Sequence, residues 1–239
     1  MKTNNSATIL PSLAPSLQFL RLLTVHNDRE WFALNKEFYA SCRADFEQVS
    51  AEYLRRLTEI DDELQGVSVK DCIWRIYRDT RFSADKRPYK DWFGVYVAAP
   101  ICINGEDKFP GRKSPKAGYY FHLQPGNCLF SAGIWCPEKE TLLRLRREIY
   151  NNYDELGQLV ANSKWQHYFG DFDTDQMLKK APAGFDSDFP RMDWLRRKAF
   201  TVTAHLTDEQ VCADSLMDIL ADMAAAAQPV NRFLNYIFE

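Results

Sequence analysis

Apolar residues in the first quarter of the chain recur at steps of three and four. Ser16 can cap a short helix carrying Leu17, Leu20 and Leu23. Beyond Asn27-Asp28-Arg29-Glu30, the positions Trp31, Leu34, Phe38, Phe46, Val49, Tyr53, Leu57 and Ile60 form one stripe, with Cys42 bridging the longer gap. That spacing predicts one amphipathic helix over residues 28–60. At 1.5 Å per residue it would span roughly 50 Å, long enough to accommodate a kink. Asn27 and Glu30 have the spacing of an Asn-started capping box, Asn27 accepting from the N–H three residues on and Glu30 reaching back.

After Gly66 the period shortens. Cys72–Tyr77, Phe93–Ala99, Tyr119–Gln124, Cys128–Trp135 and Ala199–Leu206 are short, alternating or β-branched and aromatic runs that read as strands. Pro125-Gly126-Asn127 between the third and fourth is a tight-turn signal and predicts a hairpin. Asn104-Gly105 and Pro110-Gly111 mark loops in a polar stretch. Pro137 suits the first position of a helix burying Leu142, Leu145 and Ile149. An irregular stretch follows, with a Pro/Gly loop over residues 181–190. Thr207-Asp208-Glu209-Gln210 is a second capping box, opening a helix through Leu216, Ile219, Leu220 and Met223 that Pro229 is expected to interrupt. The order α-α-β-β-β-β-α-irregular-β-α implies an α+β fold, with long N- and C-terminal helices packed on an antiparallel-dominated sheet. No linker-like stretch divides the chain, so the expectation is a flexible segment over residues 1–15 and one domain over 16–239.

Composition narrows the partners. The chain has 239 residues, 46% apolar and 26% charged, with a net charge of −3. It offers no overall attraction to nucleic acid or to an anionic membrane. No run approaches the roughly 18 apolar residues of a membrane span, and the N-terminus lacks a signal-peptide core. Six cysteines, Cys42, Cys72, Cys102, Cys128, Cys136 and Cys212, are widely spaced with no C-x-x-C pair. They read as reduced thiols of a cytoplasmic protein. The four histidines form no metal-ligand pair, so no metal site is expected, and no motif identifies a cofactor. Phosphate-loop, dinucleotide, nucleophile-elbow and zinc-deaminase signatures are all missing.

The charge distribution is uneven. Six basic residues, Arg75, Arg78, Arg81, Lys86, Arg87 and Lys90, stand against only Asp79 and Asp85, a local balance of +4 that leaves the rest of the chain at −7. Guanidiniums offer planar donor forks to phosphate or carboxylate, and lysines add point charges. Tyr77, Phe82, Tyr89 and Trp92 could stack on a ligand or on the arginines.

The strings Asn27-Asp28-Arg29-Glu30-Trp31-Phe32, Arg75-Ile76-Tyr77-Arg78-Asp79-Thr80-Arg81-Phe82-Ser83, Asp85-Lys86 and Pro88-Tyr89-Lys90 resemble the uncharacterised family catalogued as domain of unknown function 2461. Gly118-Tyr119-Tyr120, Ala132-Gly133, Gly184-Phe185 and the closing Phe233-Leu234-Asn235 are also similar to it. The likeness covers about residues 16–237 and implies a single-domain soluble protein, with no catalytic residues to carry over.

Three readings of the basic segment stay open. In the first, Arg75, Arg78, Arg81, Lys86, Tyr89 and Lys90 are the binding set for a phosphate- or carboxylate-bearing small molecule, with Asp79 or His122 as the proton-transfer candidate. The same residues on an open surface would suit nucleic acid. In a scaffold or interaction protein they would be an internal ion-pair lattice, Arg78 with Asp79, Asp85 with Lys86 or Arg87, and Arg75 with Glu30, Glu37 or Asp45. Arg144, Arg146 and Arg147, like Arg196, Arg197 and Lys198, read as solvated helix faces.

Overall fold

A computed structural model describes residues 10–239 of the chain. Residues 1–9 of the expected flexible segment lie outside the described residues. Beyond them, Leu13 is buried and α1 (Ala14–Val25) already includes Ser16 as a buried residue rather than as a cap.

The stripe over residues 28–60 forms two helices. In α2 (Arg29–Leu34) the cap is Asp28, whose carboxylate accepts from the Trp31 N–H at 2.8 Å. Asn27 is therefore not the cap expected from the sequence. Asn35 ends this helix, its side chain donating back to the Trp31 carbonyl, and α3 (Lys36–Ile60) begins at the next residue. The break leaves Leu34 87% exposed, while Phe46, Val49, Tyr53 and Leu57 keep the buried stripe.

The short α4 (Val69–Cys72) leads into a segment that was expected to be a strand. It runs antiparallel beside β1 (Phe93–Val97) but makes only two isolated rungs, Ile73 with Val95 and Tyr77 with Tyr89. Three residues lie between the rungs on one side and five on the other. The extra pair bulges at Asp91-Trp92, so a continuous ladder cannot form. Two short strands, β2 (Ile101–Ile103) and β3 (Glu106–Lys108), pair across Asn104-Gly105, where the sequence suggested only a loop.

Then come β4 (Gly118–Leu123), β5 (Cys128–Ile134), α5 (Lys139–Asn151), α6 (Tyr153–Val160), α7 (Ser163–Tyr168), α8 (Met192–Leu195), β6 (Phe200–Leu206), α9 (Asp208–Cys212) and α10 (Leu216–Asn235). α5 begins two residues after Pro137, with Glu138 at its boundary. The Thr207–Gln210 capping box is present on both sides. Pro229 does not interrupt α10. Its ring removes one backbone hydrogen bond, a cost of about 3 kcal/mol, but buried Leu220, Ala224, Ala227, Val230 and Leu234 fix the helix on both sides of it.

The main sheet is antiparallel in the order β1-β4-β5-β6, as the α+β reading expects. In register, Val95, Phe121 and Phe130 lie on one face. That face packs on α3 and α10, and Phe46 stacks on Phe121 at 6.2 Å between ring centres. The opposite face carries Gly94, Tyr96, Tyr120, His122, Ser131 and Thr203, small or polar residues that no hydrophobic layer needs. Gly133 pairs with Thr201 at φ +114°, and a Cβ there would lie 2.0 Å from the Phe200 carbonyl oxygen. Among the described residues no helix is long and apolar enough to cross a membrane.

Candidate anion site at the base of the basic loop

The basic motif is a loop pinched shut at its base. The Arg78 N–H donates to the Pro88 carbonyl and the Lys90 N–H to the Ile76 carbonyl. Asn27, preceding α2, clamps the returning arm: its amide donates to the Tyr89 carbonyl and accepts from the Tyr89 N–H, both at 3.1 Å. The Tyr89 ring is stacked on Phe32 at 3.9 Å between centres and is 7% exposed. A sequence can show that an Asn precedes a helix; it cannot show that its amide meets a backbone 62 residues away.

Most charges at the loop tip are already paired. Arg81 forks onto Asp79, with Nη2 at 2.7 Å. Hydrogen bonds from the Arg81 side chain and backbone hold the Asp79 carboxyl down, at about 2. Arg78 and Arg87 share Asp85, which their hydrogen bonds hold well below the ordinary carboxylate range. Lys86 donates to the Thr80 carbonyl at 2.9 Å. Phe82, 95% exposed at the tip, has the Arg81 guanidinium over its ring. The ion-pair lattice thus exists, though Asp79 pairs with Arg81 rather than Arg78, and Lys86 takes a carbonyl.

Three cations stand outside the lattice: Lys86, at the tip on its carbonyl, and Arg75 and Lys90 at the base. Arg75 is exposed and, among the described residues, has no hydrogen-bond or ion-pair partner for its side chain, so Glu30, Glu37 and Asp45 do not hold it. Lys90 donates to the Arg75 carbonyl at 2.6 Å and touches no carboxylate. Its ammonium lies over both the Trp74 and Trp92 rings, at 5.6 and 5.1 Å. Burial, then the guanidiniums of Arg75, Arg112 and Arg78, push its pKa down to about 8. Arg112 arrives from the turn after Gly111, fixed by the carbonyls of Lys70, Asp71 and Ile73. It was invisible as part of the motif because it sits 22 residues beyond Lys90 in a stretch that reads only as polar loop.

His122 lies across Trp92 from this cluster, the two rings 5.0 Å apart. The Tyr120 hydroxyl is hydrogen-bonded to Nδ1 at 2.6 Å and Nε2 to the Gln124 side-chain Oε1 at 3.2 Å; Oε1 only accepts, so Nε2–H is the donor there. Gln124 in turn donates to Asp91 at 3.4 Å. Burial pushes the pKa of this imidazole below the ordinary value. Gly94 makes the arrangement possible, since a Cβ there would meet the Tyr120 hydroxyl at 2.8 Å and Trp92 at 2.9 Å. Asp79 belongs to the loop tip and bonds Arg81, so the two proton-transfer candidates share no hydrogen bond.

The other basic clusters are not solvated faces throughout. Arg146 and Arg197 are 9% and 3% exposed. Arg146 donates to the Leu195 and Arg197 carbonyls, and Arg197 to the Phe172 carbonyl. They anchor the irregular stretch before β6, where unpaired buried carbonyls would otherwise be costly. Among the described residues no cluster of His, Cys, Asp and Glu could hold a metal ion.

A family model described as "Conserved hypothetical protein (DUF2461)" matches residues 15–233. No curated protein and no solved structure matches the chain.

Proposed function

Because the chain belongs to the conserved hypothetical protein family DUF2461, whose description carries no reaction, we propose from the site itself that the protein binds a phosphate- or carboxylate-bearing small molecule at Arg75 and Lys90. The observation that carries this reading is the pair of cations left without a carboxylate at the base of a loop whose other arginines are matched to acids. An anion between them would gain charge-assisted hydrogen bonds from a guanidinium and an ammonium. Trp74 and Trp92 give the ligand an apolar wall. Arg78, part-buried and paired with Asp85, adds a supporting charge. A cytoplasmic setting belongs to the same proposal, supported by six cysteines that are all free.

The test is titration with inorganic phosphate, followed by calorimetry and by tryptophan fluorescence. Arg75→Gln should weaken binding about tenfold, one charge-assisted hydrogen bond. Arg81→Gln should leave it unchanged, because Arg81 is engaged with Asp79. Equal losses from both substitutions, with a steep dependence on salt, would instead favour a diffuse nucleic-acid surface.

A further inference from the structure

Lys90 differs from the other cations of the loop in its surroundings. Its Nζ lies over two indole rings and is hydrogen-bonded to a main-chain carbonyl. Every charged side chain that presses on it is a guanidinium: Arg75 and Arg78 from its own loop, Arg112 from the turn after Gly111. The nearest acids are turned elsewhere. Asp91 faces Arg87 and Gln124. From α3, Arg43 reaches the Trp74 carbonyl while its own acid, Glu47, stays on it. An amine desolvated by apolar rings and crowded by other cations is the environment in which lysine serves as a nucleophile toward carbonyl carbon.

We propose that Lys90 is a carbonyl-reactive amine, and that the ligand docking its phosphate or carboxylate on Arg75 carries an aldehyde or ketone that Nζ captures as an iminium. This rests on the anion-site reading above and names the ligand class for it. The step balances without a cofactor. The ammonium releases one proton to solvent, and the neutral amine adds to the carbonyl carbon, giving a carbinolamine. Loss of water, with uptake of one proton, leaves the iminium. One positive charge is present before and after, so the contacts with Trp74 and Trp92 survive the reaction. The guanidiniums that oppose a cation at Nζ are offset by the anionic group arriving with the ligand. Lys86, exposed in the same loop and bonded to the Thr80 carbonyl, lacks the indole walls and provides an internal reference.

The low pKa makes the difference measurable. At pH 8 an amine of pKa about 8 is half neutral, whereas an ordinary lysine is neutral to well under about 1%. A less basic amine is also a weaker nucleophile, so a rate advantage of about tenfold is expected rather than the full ratio of neutral fractions.

The experiment incubates the full chain at pH 8 with pyruvate or pyridoxal 5′-phosphate and sodium cyanoborohydride, then maps reduced adducts by peptide mass spectrometry. Lys90 should be labelled about tenfold faster than Lys86, and inorganic phosphate should slow labelling at Lys90 alone. Lys90→Arg should lose the fast adduct while labelling at Lys86 keeps its rate. Labelling of Lys90 no faster than Lys86, with phosphate binding intact, would overturn the amine chemistry and leave the anion site standing. Fast labelling that phosphate does not slow would overturn the anion-site reading on which the proposal rests.

Discussion

Replacing Asn27 by Ala should loosen the basic loop without touching any of its charges. The Asn27 amide makes two hydrogen bonds, both 3.1 Å, to the two polar groups of the Tyr89 backbone. A net contribution of about 1 kcal/mol each is ordinary, and a buried group left unpaired costs about 1–3 kcal/mol. These groups are part-buried, so water can replace some of what is lost. About 2 kcal/mol is the resulting expectation, or a fall of about 4–8 °C in Tm for a chain of this size. Urea unfolding at constant m would measure it directly. Asp28→Ala is the control: it removes the α2 cap, costing about 1 kcal/mol, but leaves the clamp intact. Asn27→Asp should be no better than Ala, because it sets a carboxylate oxygen against the Tyr89 carbonyl. In phosphate titrations Asn27→Ala should weaken binding severalfold, since the clamp adjoins Lys90, and Asp28→Ala should not. A stability change below about 0.5 kcal/mol, or equal effects of the two variants on binding, would refute the claim that Asn27 sets the base of the loop.

Other consequences follow from single contacts. Gly133→Ala should abolish or severely reduce soluble expression, because φ +114° is strained for any side chain and its Cβ would meet the Phe200 carbonyl at 2.0 Å. Gly94→Ala should instead fold, since the obstructing atoms are the mobile ends of Tyr120 and Trp92; altered tryptophan emission and weaker phosphate binding would report their displacement. The folded-state pKa of Lys90 is lowered, so the unfolded chain binds more protons between pH about 8 and the ordinary lysine value near 10.5. Stability should therefore rise across that window relative to Lys90→Gln, as denaturant midpoints at several pH values would show. His122 is likewise lowered, so stability should fall as pH drops below 6.5, and His122→Gln should remove that component.

Periodicity alone located β1, β4, β5 and β6 to within about two residues, because each alternates between a core face and a polar one. It failed where tertiary contacts decide. Pro229 sits inside α10 because the residues around it are buried on α3 and β5. The β2–β3 pair is mostly exposed and carries no core face to read, although Asn104-Gly105 signalled its turn. At the site, the motif was visible as a cluster of charge, but not which charges are satisfied. Arg81 and Arg75 look alike in sequence; only folding gives Arg81 its Asp79 and leaves Arg75 none. Trp92 and His122, 30 residues apart, meet because β1 and β4 pair with Gly94 opposite His122.

The central claim, that an anion sits between Arg75 and Lys90, is tested most directly by crystals of the protein soaked in selenate and measured at the selenium edge. The account predicts an anomalous peak within hydrogen-bonding distance of the Arg75 guanidinium and the Lys90 ammonium, lost in Arg75→Gln. A peak at Arg81 or Lys86 instead, or one at the base of the loop that survives Arg75→Gln, would contradict it.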